Sequence, residues 1–305
     1  MKTKIIRLLI VFLSIATYAQ NREQFTHYMY NTVIVNPAYA GSKPAMSVFA
    51  LHRNQWVGLD GAPVTNSFSL NTPIGGSNIG LGLSVVNDKI GVSDENDISV
   101  DFSYTIPINI NYKLAFGLKG GVNILNADFT KLTQQPGDPV FHNNIDNQFS
   151  PNIGVGFYIH SDKSYLGLSA PYLIKTDHYS EESARSTIVT SKINYLLIAG
   201  HVFDMSSEVK FKPSLLTKYA PGTPLQVDVS ANFLINQKFV AGVAYRWSAA
   251  MSGMVGFQIN NSWLIGYGYD FDTTSLGKYN SGSHEIFLRY ELFTKPNKII
   301  SPRFF

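Results

Sequence analysis

The chain has no cysteine among its 305 residues. Disulfide staples are therefore excluded, and so is a lipid anchor, which needs a cysteine after the leader. Charge is also scarce: Asp, Glu, Lys and Arg make up 15% of the residues, against roughly 25% in soluble domains. Long apolar runs are missing as well. Mean hydropathy is close to zero, and no segment after the leader approaches the roughly 20 apolar residues of a membrane-crossing helix. The formal net charge of +3 is carried by the leader, because Lys2, Lys4 and Arg7 account for the excess of 24 basic over 21 acidic residues. The remaining chain is neutral and gives no basic surface for nucleic acid.

That leader reads as a secretory signal peptide over residues 1–19. A basic start precedes an apolar stretch at 8–15, and Thr17-Tyr18-Ala19 forms the small-residue cleavage site. An exported chain with no stop-transfer helix is free to reach the outer membrane.

What the chain has in quantity is alternation. Ile98, Val100, Phe102, Tyr104 and Ile106 interleave with Ser99, Asp101, Ser103, Thr105 and Pro107. Leu225, Val227, Val229, Ala231 and Phe233 alternate in the same way with Gln226, Asp228, Ser230 and Asn232. Strand side chains point to opposite faces in turn, so each segment has one oily face and one polar face. Segments of about ten residues match a tilted crossing of the hydrocarbon layer, whereas strands of soluble sandwiches run about five or six. Aromatics fit the same setting, with 17 Tyr and 20 Phe.

Strands are predicted at 47–53, 64–70, 79–87, 96–106, 113–125, 152–160, 164–171, 192–203, 209–219, 225–234, 239–247, 251–260, 263–271 and 284–293. The fold class is thus all-β, a transmembrane antiparallel barrel of about 14 strands over 46–293. If the first strand starts in the periplasm, the even connections are tight, at 161–162, 205–207, 236–237 and 260–261. The long ones, 126–151, 172–191 and 272–283, then all face outside. Short inside and long outside is the asymmetry of outer-membrane barrels.

Ten glycines, from Gly80 and Gly82 to Gly266 and Gly268, fall on the small-residue side of their strands. They suit either a strongly curved wall or close approach of something inside it. Residues 20–45 form a periplasmic or plug-like segment rich in aromatics, with helical spacing at Phe25, Tyr28 and Met29. Asp101, Lys210, Lys212, Lys218, Asp228 and Arg246 are expected to face the lumen, because charge facing lipid is costly. A porin would use the basic wall to select anions; a plugged barrel would pair it with Asp101, Asp228 or the plug. Tyr245, Trp247, Trp263, Tyr267 and Tyr269 are expected in the interfacial girdles. Trp56 belongs to the first outer loop, as a rim anchor or a partner contact. The tail 294–305 cannot continue the last strand past Pro296 and Pro302. It either covers the barrel mouth or offers Arg303, Phe304 and Phe305 for docking.

No catalytic, cofactor or metal signature is complete. His284-Glu285 lacks the second histidine of a zinc-protease helix, and the seven histidines are scattered. The acidic residues Asp94, Glu95 and Asp97, and the pair Asp270 and Asp272, read as solvated loop acids rather than a calcium site.

Several blocks together give a resemblance. They are Gln24-Phe25-Thr26-His27-Tyr28-Met29-Tyr30-Asn31, then Asn36-Pro37-Ala38-Tyr39-Ala40-Gly41, and Arg53-Asn54-Gln55-Trp56 leading into Gly58-Leu59-Asp60-Gly61-Ala62-Pro63. Gly80-Leu81-Gly82-Leu83, Lys212-Pro213-Ser214-Leu215-Leu216 and Ser301-Pro302-Arg303-Phe304-Phe305 follow in order. The chain so resembles the PorP/SprF family of the Bacteroidetes type IX secretion and gliding machinery. The resemblance implies a non-enzymatic outer-membrane barrel without cofactors, whose partners are lipid, other secretion components and a large adhesin with a C-terminal secretion domain. Tyr28, Asn36, Pro37, Tyr39, Gly41, Arg53 and Trp56 lie in its blocks and are candidate plug or partner contacts. The alternative function is a FadL-like channel for small hydrophobic solutes.

Overall fold

The computed structural model describes residues 23–132, 144–174 and 193–292. Its strands are β1 (Met46–Asn54), β2 (Val64–Pro73), β3 (Ile79–Ile90), β4 (Ser93–Pro107) and β5 (Lys113–Ala127). Then come β6 (Ile145–His160), β7 (Ser164–Ala170), β8 (Tyr195–His201), β9 (Phe203–Asp204) and β10 (Val209–Tyr219). The last are β11 (Gln226–Ile235), β12 (Phe239–Arg246), β13 (Ala250–Gln258), β14 (Trp263–Asp272) and β15 (Ser283–Leu292). Each strand pairs antiparallel with its neighbour, and β1 pairs with β15 from Met46↔Leu292 to Asn54↔His284. The sheet is therefore a closed barrel, which leaves no edge strand to satisfy in lipid. Because β9 only continues β8 past Val202, the wall has 14 staves.

That interruption has a cause in the sequence. Residues 210–211 of β10 pair with β9, and 214–219 pair with β8, so the gap falls at Lys212 and Pro213. Proline has no N–H to give to a ladder.

The pleat sorts the wall as the alternation predicts. Val100 and Phe102 are 55% and 42% exposed on the outside, while Asp101 and Ser103 between them are 0% exposed. Trp263 packs on Tyr290 at the turn-bearing end, with ring centroids 4.6 Å apart. Tyr245 and Trp247 stand exposed at the other end, where rings meet the headgroup layer. His284 and Glu285, adjacent in sequence, lie on opposite sides of the wall. His284 meets the Tyr267 hydroxyl outside, whereas Glu285 is 0% exposed inside.

The connections divide by end. On the side where β1 begins they run from 3 to 5 residues, as at 161–163 and 74–78. On the other side three reach 10 or more, at 128–144, 171–194 and 273–282. Strand β6 starts at Ile145, seven residues before the predicted boundary. Its early part, with Asp146, Asn147, Gln148 and Pro151, is polar on both faces and so carries no alternation. At Pro151 its only paired strand is β5, a setting in which a strand tolerates proline. Strands of 15 or 16 residues, as in β4 to β6, rise about 3.3 Å per residue and outrun the membrane.

The chain enters the lumen before it builds the wall. Residues 26–40 are all buried. A single helical turn, Thr32–Val35, is followed by a 3₁₀ turn, Pro37–Tyr39, whose first turn Asn36 caps by accepting from the Ala38 N–H. At Gly41 (φ +67°) the segment crosses β3, where an added Cβ would stand 2.5 Å from the Gly80 Cα.

Candidate functional site: the filled lumen

The N-terminal segment meets the wall through three layers. Nearest the long connections is an ionic cluster. Arg53 of β1 gives one guanidinium nitrogen to Asp270 of β14 at 2.7 Å. The other goes to the Thr26 hydroxyl at 2.8 Å and to Glu285 of β15 at 3.2 Å. Glu285 also accepts the backbone N–H groups of Thr26 and His27, at 2.9 and 2.8 Å, and faces the His27 Nδ1 at 2.6 Å. A second pair stands alongside: Arg246 donates to Asp228 at 2.6 Å and to the Gln24 side-chain oxygen at 3.0 Å. Buried carboxylates are tolerable here because each meets a cation and several donors.

The middle layer is aromatic. Phe287 stacks between Phe49 and Tyr30, with centroids 5.1 and 5.0 Å away, and takes the His27 ring edge-on at 4.7 Å. The ammonium of Lys212, fully buried, sits 5.5 Å from the Tyr30 ring centre and 5.9 Å from that of Tyr165. Asn31 accepts from the Ser69 hydroxyl at 2.6 Å.

The lowest layer is where backbone meets backbone. Asn36 donates to the Phe157 carbonyl at 2.9 Å, and Tyr39 packs edge-on against Tyr158 at 5.5 Å. The Ser103 hydroxyl donates to the Ala40 carbonyl, and Lys43 pairs with Glu291. At Gly117 any Cβ would fall on the backbone of Pro37 and Ala38. The inward glycines thus make two kinds of room. Gly80, Gly82, Gly117, Gly156, Gly167 and Gly268 face the N-terminal segment, whereas Gly266 faces Phe287 and Gly154 faces Pro171.

Most sequence-singled residues line this lumen. Tyr28, Asn36, Pro37, Tyr39 and Arg53 are buried in it, and Gly41 is its exit. Asp228 pairs with Arg246, a member of the expected basic wall, whereas Asp101 pairs with Lys119, at 3.1 Å, a lysine outside it. Lys119 lies directly across the β4–β5 hairpin from Asp101. Lys210 pairs instead with Asp204 near the short-turn end, and Lys218 lines a cleft at the far end. Asp270 is not a solvated loop acid: closing the barrel carries it inside, against Arg53. Asp94, Glu95 and Asp97 belong to strand β4 rather than a loop, with Asp97 turned inward. Trp56 lies in the connection 55–63 with φ +49° and donates its N–H to the Ser283 hydroxyl. Arg303, Phe304 and Phe305, and the signal peptide, lie outside the described residues. Sequence reasoning missed His27, Thr26, Glu285 and Asp270 as one cluster, since they are more than 200 positions apart.

Among the described residues no group of three or more His, Asp or Glu is arranged for a metal ion. Ser164 meets the His201 Nδ1 at 2.7 Å. That pair lies on the outward face, and among the described residues no carboxylate hydrogen-bonds the imidazole.

A closed antiparallel barrel with an apolar exterior, here with its own leading segment inside the lumen, is a barrel of the outer-membrane class. This chain belongs to the PorP/SprF family, described as type IX secretion system membrane protein PorP/SprF, whose model matches residues 17–290. No curated protein sequence matches significantly. Among solved structures the chain is similar to a TodX deletion mutant, a monoaromatic hydrocarbon channel, at 10% identity and a TM-score of 0.51, covering 86% of this chain and 94% of that one. It is also similar to a Pseudomonas aeruginosa FadL homologue, at 12% identity and a TM-score of 0.48 over 86% and 94% of the two chains. At such identity the likeness speaks for the fold alone.

Proposed function

We propose that this protein is a non-enzymatic, plugged outer-membrane barrel that assists type IX secretion or surface attachment of an adhesin-type cargo through the cargo's C-terminal secretion domain. The observation that carries the reading is the occupied lumen. Residues 26–40 are buried inside the wall and bonded to it in every layer, which suits a scaffold and docking platform better than a conduit. Membership of the secretion family supports the assignment to that machinery. The signal peptide over 1–19 supplies the route of export.

Deleting the gene is the deciding experiment: adhesin should disappear from the cell surface while uptake of small solutes is unchanged. Loss of uptake of one solute class with normal adhesin display would overturn the reading in favour of a hydrophobic-solute channel. That second reading has one observation in its favour, an apolar cleft beside the plug lined by Phe25, Tyr28, Leu196 and Leu216.

The tail carries its own expectation. Truncation after Asn297 removes Arg303, Phe304 and Phe305, a cation beside two rings, the composition of a docking hot spot. The truncated barrel is expected to insert and to lose adhesin display, read by surface immunoblotting. Failure to insert would make the tail an assembly signal, and normal display would make it dispensable.

A further inference from the structure

The depth at which each residue of the N-terminal segment meets the wall gives that segment a direction. Gln24 is held by Arg246, the last residue of β12, beside the long connections. Thr26 and His27 are held by Asp270 and Glu285, each within two residues of the same end of its strand. Asn31 meets Ser69 midway down β2. Ala40 meets Ser103, and Lys43 meets Glu291, at the end with the short turns. From there the chain passes directly into β1. The segment therefore runs the full length of the lumen, away from the long loops and toward the short turns.

Long loops face the exterior, so we infer that the segment enters the lumen from the extracellular mouth. Glu23 and Gln24 then stand, half-exposed, at the extracellular mouth of the barrel. This goes against the expectation from the signal peptide, under which residues just after the leader stay in the periplasm. The inference rests on the barrel orientation used above, not on the identity of the cargo.

The cysteine-free chain makes the test clean. Single substitutions Glu23→Cys, Lys278→Cys in the long connection 273–282, Ser206→Cys in a short turn, and Pro44→Cys would be exposed to a membrane-impermeant maleimide on intact cells. Labelling is expected at Glu23 and Lys278. At Ser206 and Pro44 it should appear only after the outer membrane is permeabilised. Labelling at Lys278 without labelling at Glu23 would overturn the inference while leaving the orientation standing. Labelling at Ser206 with none at Lys278 would overturn the orientation itself. An epitope inserted between residues 21 and 22, probed with antibody on intact cells, is a second readout. Antibody binding there is expected, and binding only after permeabilisation would count against the inference.

Discussion

Deletion of residues 24–35 is expected to turn a silent barrel into a conducting one. The segment contributes the Thr26 and His27 contacts to Glu285, the Tyr30 ring against Phe287, and the helical turn Thr32–Val35 beside Gly82. None of these residues belongs to the ladder that closes the wall. A 14-stave wall without that part of its filling has a lumen in which Ser67, Ser69, Asn71 and Asn232 stand among Phe49, Tyr158, Leu264 and Phe287, and its polar side gives water and ions a path. In planar bilayers the full-length protein should show no resolved steps, and the deletion variant large ones. Heat-modifiable migration in gels should persist in both. Equal conductance of the two proteins would sink the plug. Gly117→Leu approaches the same state by a different route, because the new side chain takes the space of the Pro37–Ala38 backbone. It should therefore also open the lumen, or prevent folding outright.

Arg53→Met is expected to be the most damaging single substitution in the lumen. The guanidinium stands between Asp270 and Glu285, with all three side chains at 3% exposure or less. Removing one partner of a buried pair costs about 3–5 kcal/mol, since the remaining charge has nothing to meet it. Here two carboxylates lose their shared cation, Glu285 keeping the Thr26 and His27 donors and Asp270 keeping the Thr26 hydroxyl and Arg246 at 4.0 Å. Because Arg53 is on β1 and Glu285 on β15, the loss falls on the seam where the barrel closes. The folded, fast-migrating band should be lost at a markedly lower temperature than in the unaltered protein. Adding Asp270→Asn and Glu285→Gln to Arg53→Met removes the stranded charges and should recover much of the loss. A single variant that melts with the unaltered protein would show that the cluster does not hold the seam.

The wall was legible in the sequence because its physics is local. A period of two over Ile98 to Ile106 needs only the pleat and a lipid phase to be read. Tight and long connections need only be counted in order. The upper part of β6, and the first three residues of β4, were not legible. There Asp94 and Asn147 stand beyond the hydrocarbon, both faces meet water, and the alternation vanishes. The lumen was half legible. Inward glycines signalled that something comes close, and the segment preceding β1 was a natural occupant. Its attachments were hidden, because the partners of Thr26 and His27 reside in the last two strands. Only closure of the sheet brings Asp270 and Glu285 to them. Lys119 shows the limit from the other side: it is a short hairpin away from Asp101, yet its pairing depends on a register that the turn 108–112 sets.

The Arg53 cluster also works as a test of completeness. Its members come from the first described residues, the first strand and the last two strands. Until β15 has been made and delivered, the guanidinium has no Glu285, and the N–H groups of Thr26 and His27 have no acceptor there. A chain cut short before Ser283 thus has both an open wall and an unsettled interior. Such a product carries an unmatched guanidinium at an open sheet edge, so a missing last strand is felt at the opposite end of the sequence.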